Sequence, residues 1–300
     1  MRTSRTLAVA LCAVALTATA ACGKDGTPGA DAASASNAPA LPTYTVKTDV
    51  KIDSSILAEA KKRGQLIIGA KADQPFLGFE DVASGDRSGF DIEIAKMIAA
   101  DLGFTPQQIK WQTLVSSQRE PAIAKGQIDF YVGTYSINDE RKKTVSFAGP
   151  YYIAGQDLLV KSDNTSITGP ESVSGKNVCT ATGSTSIQNI KQYNPKITQF
   201  DTYSACVDKL LANEVDAVTT DDAILKGYAS KFKGQLKVVG KPFTKENYGV
   251  GLNKDDKALR DAISDALKAH EDNGDWKKAY DATLGLSGSA APSVPTLDRY

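Results

Sequence analysis

The sequence predicts an α/β protein built as two lobes around a central cleft. Apolar runs of strand length alternate with helix-period segments from residue 55 onward. The alternation restarts after Tyr152. About 240 residues in two such series suit two lobes better than one large sheet, and a cleft between lobes is a usual place for a small-molecule site.

In the first series "SSILAEAKKRG" reads as a helix stopped by Gly64, and "QLIIGAK" as a buried strand. "GFDIEIAKMIAADLG" places Ile92, Ala95, Met97, Ile98 and Leu102 near helical spacing and ends at Gly103. "IKWQTL" is a strand, "SQREPAIAKG" a helix and "DFYVGTYS" a strand. In the second series "QDLLVK", "KNVCTA" and "DAVTT" are strands, with helices at "TSIQNIKQY", "YSACVDKLLAN" and "DAILKGYASKF". A strand, "YGVGLNK", and helices at "DKALRDAISDALKAHEDNG" and "DWKKAYDATLG" follow, before a tail of disordered composition, "LSGSAAPSVPTLDRY". Alternation of this kind predicts parallel sheets with helices on both faces.

The 300 residues are 41% hydrophobic and balance 35 basic against 35 acidic side chains. Such neutrality argues against a general nucleic-acid or membrane-surface binder. The chain opens with "MRTSRTLAVALCAVALTATAACGKDG", where Arg2 and Arg5 precede an apolar run from Leu7 to Leu16. This is a secretory signal. Its end, Thr19-Ala20-Ala21-Cys22, resembles the lipobox of bacterial lipoproteins, in which the cysteine is lipidated. Plain secretion is the alternative, because Thr19 replaces the usual aliphatic residue. The run behind Cys22, rich in Gly, Ala, Ser and Pro, has the composition of a flexible tether. Cys12 lies within the signal, which leaves Cys179 and Cys206 in the folded part. Two cysteines of an exported protein are expected to pair, and closing that loop would stabilise by about 3.5 kcal/mol in the chain-entropy model. No metal site can be built from these cysteines and the single His270.

Charged and hydroxyl groups collect at strand ends, where ligands of open α/β sheets sit. The stretch "IDFYVGTYSINDERKK" ends a buried strand in Thr134, Tyr135 and Ser136, then offers Asn138 and Asp139 as N-caps and places Arg141 in the first helical turn. A helix-surface arginine is commonly just solvated. Beside these hydroxyls it can grip a carboxylate. "VDAVTTDDAILKG" places Asp221 and Asp222 at another strand end, one as the helix cap and the other free to accept from an ammonium. "CTATGSTSIQN" is an anion-friendly turn into a helix. "GAKADQPFLGF" ends its strand with Lys71 and continues into a Pro/Phe loop whose Phe79 offers an aromatic wall.

"SGFDIEIAKMIAADLG", "VGTYSINDERKKTVSFAGPYY" and "VDAVTTDDA", in that order, resemble the hallmark segments of the family 3 solute-binding proteins of ABC importers, which take up polar amino acids. With "KADQP", "SSQRE" and the tether, the chain is most similar to glutamate-binding lipoproteins of Gram-positive bacteria. The resemblance implies the type II periplasmic-binding-protein fold with two hinge crossings, near Gly155–Gln156 and near Pro242–Tyr248. It implies a signal peptide at 1–22, a tether at 23–50, lobe 1 at 51–154, lobe 2 at 155–245, completion of lobe 1 at 246–285 and a disordered tail at 286–300.

Carried over by position, Arg141 would hold a ligand α-carboxylate with Thr134, Tyr135 and Ser136 beside it, and Ser184 and Thr185 would reach the same group. Asp221 would take the α-ammonium. Lys71 and Arg119 would meet a side-chain carboxylate, and Phe79 and Tyr248 belong with the site. The implied ligand is L-glutamate or aspartate, the implied partner a membrane permease, and no cofactor is implied. A lipid-anchored monomer on the outer face of the cell membrane follows. The competing reading is a secreted enzyme on the same fold, similar to cyclohexadienyl dehydratase. It would need a positioned general acid or base, and His270, in a helix with Glu271 and Asp272, is expected on a solvated face.

Overall fold

The computed structural model describes residues 39–300. The signal sequence, Cys22 and the first part of the tether lie outside the described residues. From the N-terminus run α1 (Ser55–Arg63), β1 (Leu66–Ala70), β2 (Asp73–Gln74), β3 (Gly78–Glu80), β4 (Arg87–Ser88), α2 (Phe90–Asp101), β5 (Ile109–Thr113), α3 (Arg119–Ala124), β6 (Phe130–Tyr131), α4 (Asp139–Lys142) and β7 (Val145–Ala154). Then come β8 (Gln156–Lys161), β9 (Asn177–Ala181), α5 (Ser186–Lys191), β10 (Lys196–Phe200), α6 (Tyr203–Leu211), β11 (Ala217–Asp221), α7 (Asp222–Lys231) and β12 (Leu236–Val238). The chain closes with β13 (Glu246–Asn253), α8 (Lys257–Asp272) and α9 (Asp275–Ala282).

Local chemistry sets the helix ends. Ser54 accepts from the Leu57 N–H at 3.1 Å, and Gly64 closes α1 in the left-handed conformation at φ 69°. Thr202 caps α6 and Asp256 caps α8 in the same way as Ser54.

Two five-stranded sheets result, ordered β5-β1-β6-β13-β7 and β10-β9-β11-β8-β12, with a small β2-β3-β4 sheet beside them. They are mixed rather than wholly parallel. Strands β5, β1 and β6 run parallel in the first sheet, and β10, β9 and β11 in the second. The segments that pass between the sheets enter antiparallel: β13 beside β6 and β7, β8 beside β11 and β12. The chain leaves the first sheet along β7 and comes back along β13 in the opposite direction, so the two crossing strands pair antiparallel. Gly155 alone separates β7 from β8. A Cβ there would lie 2.7 Å from the Thr244 carbonyl oxygen and 2.8 Å from the Pro242 Cβ, so the two crossings touch at a point where only glycine fits. The Phe243 N–H donates to the Gln156 carbonyl at 2.9 Å and ties them together.

Three segments differ from expectation. Part of the tether is docked: Tyr44 Oη donates to Glu93 Oε2 at 2.9 Å, and Lys47 reaches Asp101 at 2.7 Å. The tail is docked too. Asp298 N–H donates to the Gly149 carbonyl at 2.7 Å, and the Phe147 N–H donates to Tyr300 Oη at 2.9 Å. The Gly149 carbonyl and the Phe147 N–H belong to β7, an edge strand whose free backbone groups reward a covering segment. His270 is buried, not solvated, with Nδ1 at 2.9 Å from Asp275 and Nε2 at 3.6 Å from Asp101. Burial lowers its pKa, but hydrogen bonds to the two carboxylates outweigh that and raise it.

Candidate functional site

The ends of β1, β6, β9 and β11 bring their loops to one place between the two large sheets. Lys71, one residue past β1, is 4% exposed, and its ammonium donates to Ser116 Oγ at 2.8 Å. Arg119, the first residue of α3, is 2% exposed and donates through Nε to the Ser116 carbonyl at 2.9 Å. Arg141 enters α4 just behind Asn138, which caps the helix by accepting the Arg141 N–H at 2.9 Å. Its Nη1 donates to the Ser136 carbonyl at 2.6 Å, and its Nε lies 3.2 Å from Glu120 Oε1. Both guanidiniums lie over the Tyr135 ring, 4.3 Å from its centroid for Arg119 and 4.9 Å for Arg141.

These cations repel each other in a dry environment. Burial, with Arg119 and Arg141 acting in the same direction, lowers the Lys71 pKa to about 7 against the pull of Asp73 and Asp91. Burial and then the Arg119 charge lower Arg141 to about 10. Among the described residues only Arg141 of the three has an ion-pair partner.

The opposite wall comes from the second sheet. Gly183, in the turn after β9, presents its carbonyl to Arg119 Nη2 at 3.2 Å and to Arg141 Nη2 at 3.3 Å. Ser184 Oγ accepts from Tyr203 Oη at 2.9 Å, and the Thr185 hydroxyl donates to Glu246 Oε2 at 3.1 Å. Asp221, at the end of β11, makes no capping bond. Its Oδ2 accepts from Tyr248 Oη at 2.7 Å, while Oδ1 is buried without a partner among the described residues. Burial, then the nearby Glu246, raises the Asp221 carboxyl to about 8 against the Tyr248 hydrogen bond. Asp222 serves the hinge instead: its Oδ1 accepts the Gly155 N–H at 3.1 Å.

The structure therefore gathers Lys71, Arg119, Arg141, Tyr135, Ser136, Asp221 and Tyr248 around one seam. Thr134 joins them in the left-handed region at φ 46°, its N–H donating to Asp91 Oδ2 at 3.1 Å and its hydroxyl at 3.2 Å from the Gln74 amide. Such a conformation is costly for a β-branched residue. Phe79 is not brought there. It lines a separate cavity of about 430 Å³ with Pro75, Phe76, Lys231 and Leu286. On β3 its ring centroid lies 5.4 Å from Lys231 Nζ of α7.

Sequence reasoning missed Ser116, Glu120, Gly183 and Glu246. Glu120 directly follows Arg119, and Gly183 opens the quoted Gly/Ser/Thr turn, so both had a local signal. Glu246 had none. Chemically, the site can hold an anion against the guanidiniums and a cation against Asp221. Among the described residues no group of His, Cys, Asp and Glu is placed to hold a metal ion.

Comparison with known proteins gives this site a context. A "Glutamate-binding protein GluB" of Corynebacterium efficiens is 38% identical over 255 residues, covering 81% of this chain and 86% of that protein. The "ABC transporter glutamine-binding protein GlnH" of Bacillus subtilis is 35% identical over 226 residues, covering 75% of this chain and 82% of its own. Among solved structures, "An ancestral arginine-binding protein bound to glutamine" superposes with a TM-score of 0.70 at 36% identity, covering 74% of this chain and 99% of that one. All three are named as binding proteins, one of them of an ABC transporter, and the two-lobe fold is shared with them. Residues 66–285 match the "Bacterial extracellular solute-binding proteins, family 3", and the chain belongs to that family.

Proposed function

We propose that this solute-binding protein captures an acidic amino acid outside the cell, L-glutamate foremost and L-aspartate next, and delivers it to an ABC permease. Relatives of nearly equal identity are named for glutamate and for glutamine, so overall likeness does not choose between them. The charges support the choice. Lys71, Arg119 and Arg141 form a buried group of three cations, of which only Arg141 has an ion-pair partner among the described residues, Glu120, and Asp221 faces them with one oxygen left without a partner there. Glutamate brings two carboxylates and one ammonium, which match that pattern. Glutamine would leave a buried cation against an amide, and a buried charge without its partner costs about 2–5 kcal/mol. Aspartate differs by one methylene, worth about 1–3 kcal/mol.

In this reading Arg141 holds the α-carboxylate with the 134–136 loop, Asp221 and Tyr248 take the α-ammonium, and Lys71 and Arg119 select the side chain. Capture occurs by hinge closure, and the protein acts as a monomer with Cys22 as its lipid anchor. Titration calorimetry of the mature protein against the twenty amino acids tests the ligand. Glutamate should bind tightest and glutamine roughly 100-fold or more weaker. Equal or tighter binding of glutamine or arginine would overturn the acidic reading.

A further inference from the structure

Beside the cation group, at Asp73, whose charge also acts on Lys71, the two lobes meet at a second place. The Asp73–Phe76 segment, which belongs to β2 and the turn after it, lies against α6 and α7 of the second lobe. Asp73 Oδ2 accepts the Ser204 N–H at 3.1 Å, in the first turn of α6. Tyr228 Oη, from α7, donates to the Asp73 carbonyl at 2.6 Å and lies 3.2 Å from Asp73 Oδ2. One residue earlier in α7, a Cβ on Gly227 would stand 2.5 Å from the Pro75 carbonyl oxygen. That neighbour is backbone, which cannot swing aside.

Gly227 lies inside α7, where glycine weakens a helix relative to alanine. Nothing within its own lobe is among the nearest atoms to the missing Cβ; all three belong to Pro75, across the seam. The helix thus carries a weakening residue whose one visible use is to let the other lobe approach. The surface it offers is firm: Cys206 of α6 is bonded to Cys179 of β9, with Cα atoms 5.5 Å apart.

We infer that the Asp73–Phe76 turn and the α6–α7 face form a seat for the closed state that does not touch the ligand, and that Gly227 sets how fully the lobes close. The inference rests on capture by closure, and not on which amino acid is captured. Apparent affinity is intrinsic affinity scaled by the fraction of binding-competent closed protein. A change at the seat therefore scales every ligand alike, whereas a change at the cation group does not.

The test compares the parent, Gly227→Ala and Tyr228→Phe in three measurements: calorimetry with L-glutamate and with L-glutamine, melting of the ligand-free protein, and small-angle scattering with and without ligand. Gly227→Ala should weaken both ligands by about ten-fold or more with their ratio unchanged. Its ligand-free melting temperature should equal or exceed the parent's, since alanine favours the helix, and its ligand-induced contraction should shrink. Tyr228→Phe should weaken both ligands a few-fold, again in equal proportion. Parent-like affinity and contraction in Gly227→Ala would overturn the inference, as would a shifted ligand ratio. A lowered ligand-free melting temperature would do the same, because it would place the glycine's role within its own lobe. Failure of the parent to bind L-glutamate counts against the acidic reading alone; the three proteins are then compared with the amino acid the parent does bind.

Discussion

The two walls of the cleft are opposites in charge and in how they are held. The first-lobe wall carries Lys71, Arg119 and Arg141, all buried; Lys71 and Arg119 are tethered through neutral oxygens of Ser116 and Gly183, and Arg141 through the Ser136 and Gly183 carbonyls and the Glu120 carboxylate. The facing wall offers Asp221 and the hydroxyls of Ser184 and Thr185. Glu246 and Tyr248 lie between, on the strand that returns to the first sheet, and both act on the second wall. A cationic wall and an anionic wall do not select the same thing. On the proposed reading the first tells a ligand carboxylate from an amide, because Lys71 and Arg119 have no ion-pair partner among the described residues. The second can recognise only what all amino acids share.

The sharpest way to break this comparison is to remove the grip. Arg141→Ala should weaken glutamate, aspartate and glutamine together by about 2–5 kcal/mol, since each would leave its α-carboxylate buried and unpaired. Calorimetry on the three ligands measures it, and parent-like binding of any of them would show that Arg141 is not the shared clamp. Next in size are the selectors. Lys71→Ala and Arg119→Ala should each cost glutamate about 2 kcal/mol more than glutamine. A preserved glutamate preference in both variants would move selection elsewhere in the cleft.

Tyr248→Phe probes the other wall and should have a smaller effect. The phenol is the hydrogen-bond donor to Asp221 among the described residues, so its loss leaves a buried carboxylate without one. A cost of about 1–3 kcal/mol follows for every ligand, with ratios unchanged. If the variant altered the glutamate-to-glutamine ratio instead, Tyr248 would belong with the selectors.

How much of this was legible beforehand follows from which forces are local. Helix caps and strand ends are written within a few residues, so the Asn138 cap that delivers Arg141, and the strand ends that carry Lys71 and Asp221, could be read directly. The fold class was legible for the same reason. Sheet direction was not, because β7, β8 and β13 look like any other apolar runs until the crossings place them. Phe79 was read into the site because it follows Lys71 closely, but its ring lies against Lys231 and lines the cavity that Ala282 and Leu286 close. The tail has a disordered composition, yet it docks: Ala291 and Leu297 pack against the core, Asp298 pairs with Lys142, Arg299 with Asp265, and Arg260 lies over the Tyr300 ring. Burial of His270 depends on Asp101, distant in sequence, and no periodicity reveals that.

The finest test of the two walls is pH, because their key groups titrate in opposite senses on binding. Burial holds Lys71 near 7 in the unliganded protein, so above that pH it is largely neutral. A side-chain carboxylate beside it favours the ammonium and raises its pKa again. Binding glutamate then takes up a proton, and this contribution to affinity is full below about pH 7 and declines as pH rises above it. Asp221 runs the other way. Burial holds it near 8, and an incoming ammonium favours its ionised form. Binding any amino acid then releases a proton below about pH 8, and this contribution grows as pH rises toward that value. Glutamate and glutamine share the Asp221 dependence and the titration of their own α-ammonium, so both cancel in the ratio of their dissociation constants. What remains is Lys71. The preference for glutamate should be flat between about pH 5.5 and 6.5, then fall by up to about ten-fold per pH unit above 7. Paired titrations across that range measure the ratio directly. A ratio that stays level to pH 9 would mean that Lys71 does not face the ligand side chain, and the first wall's selectivity would then rest on Arg119 alone.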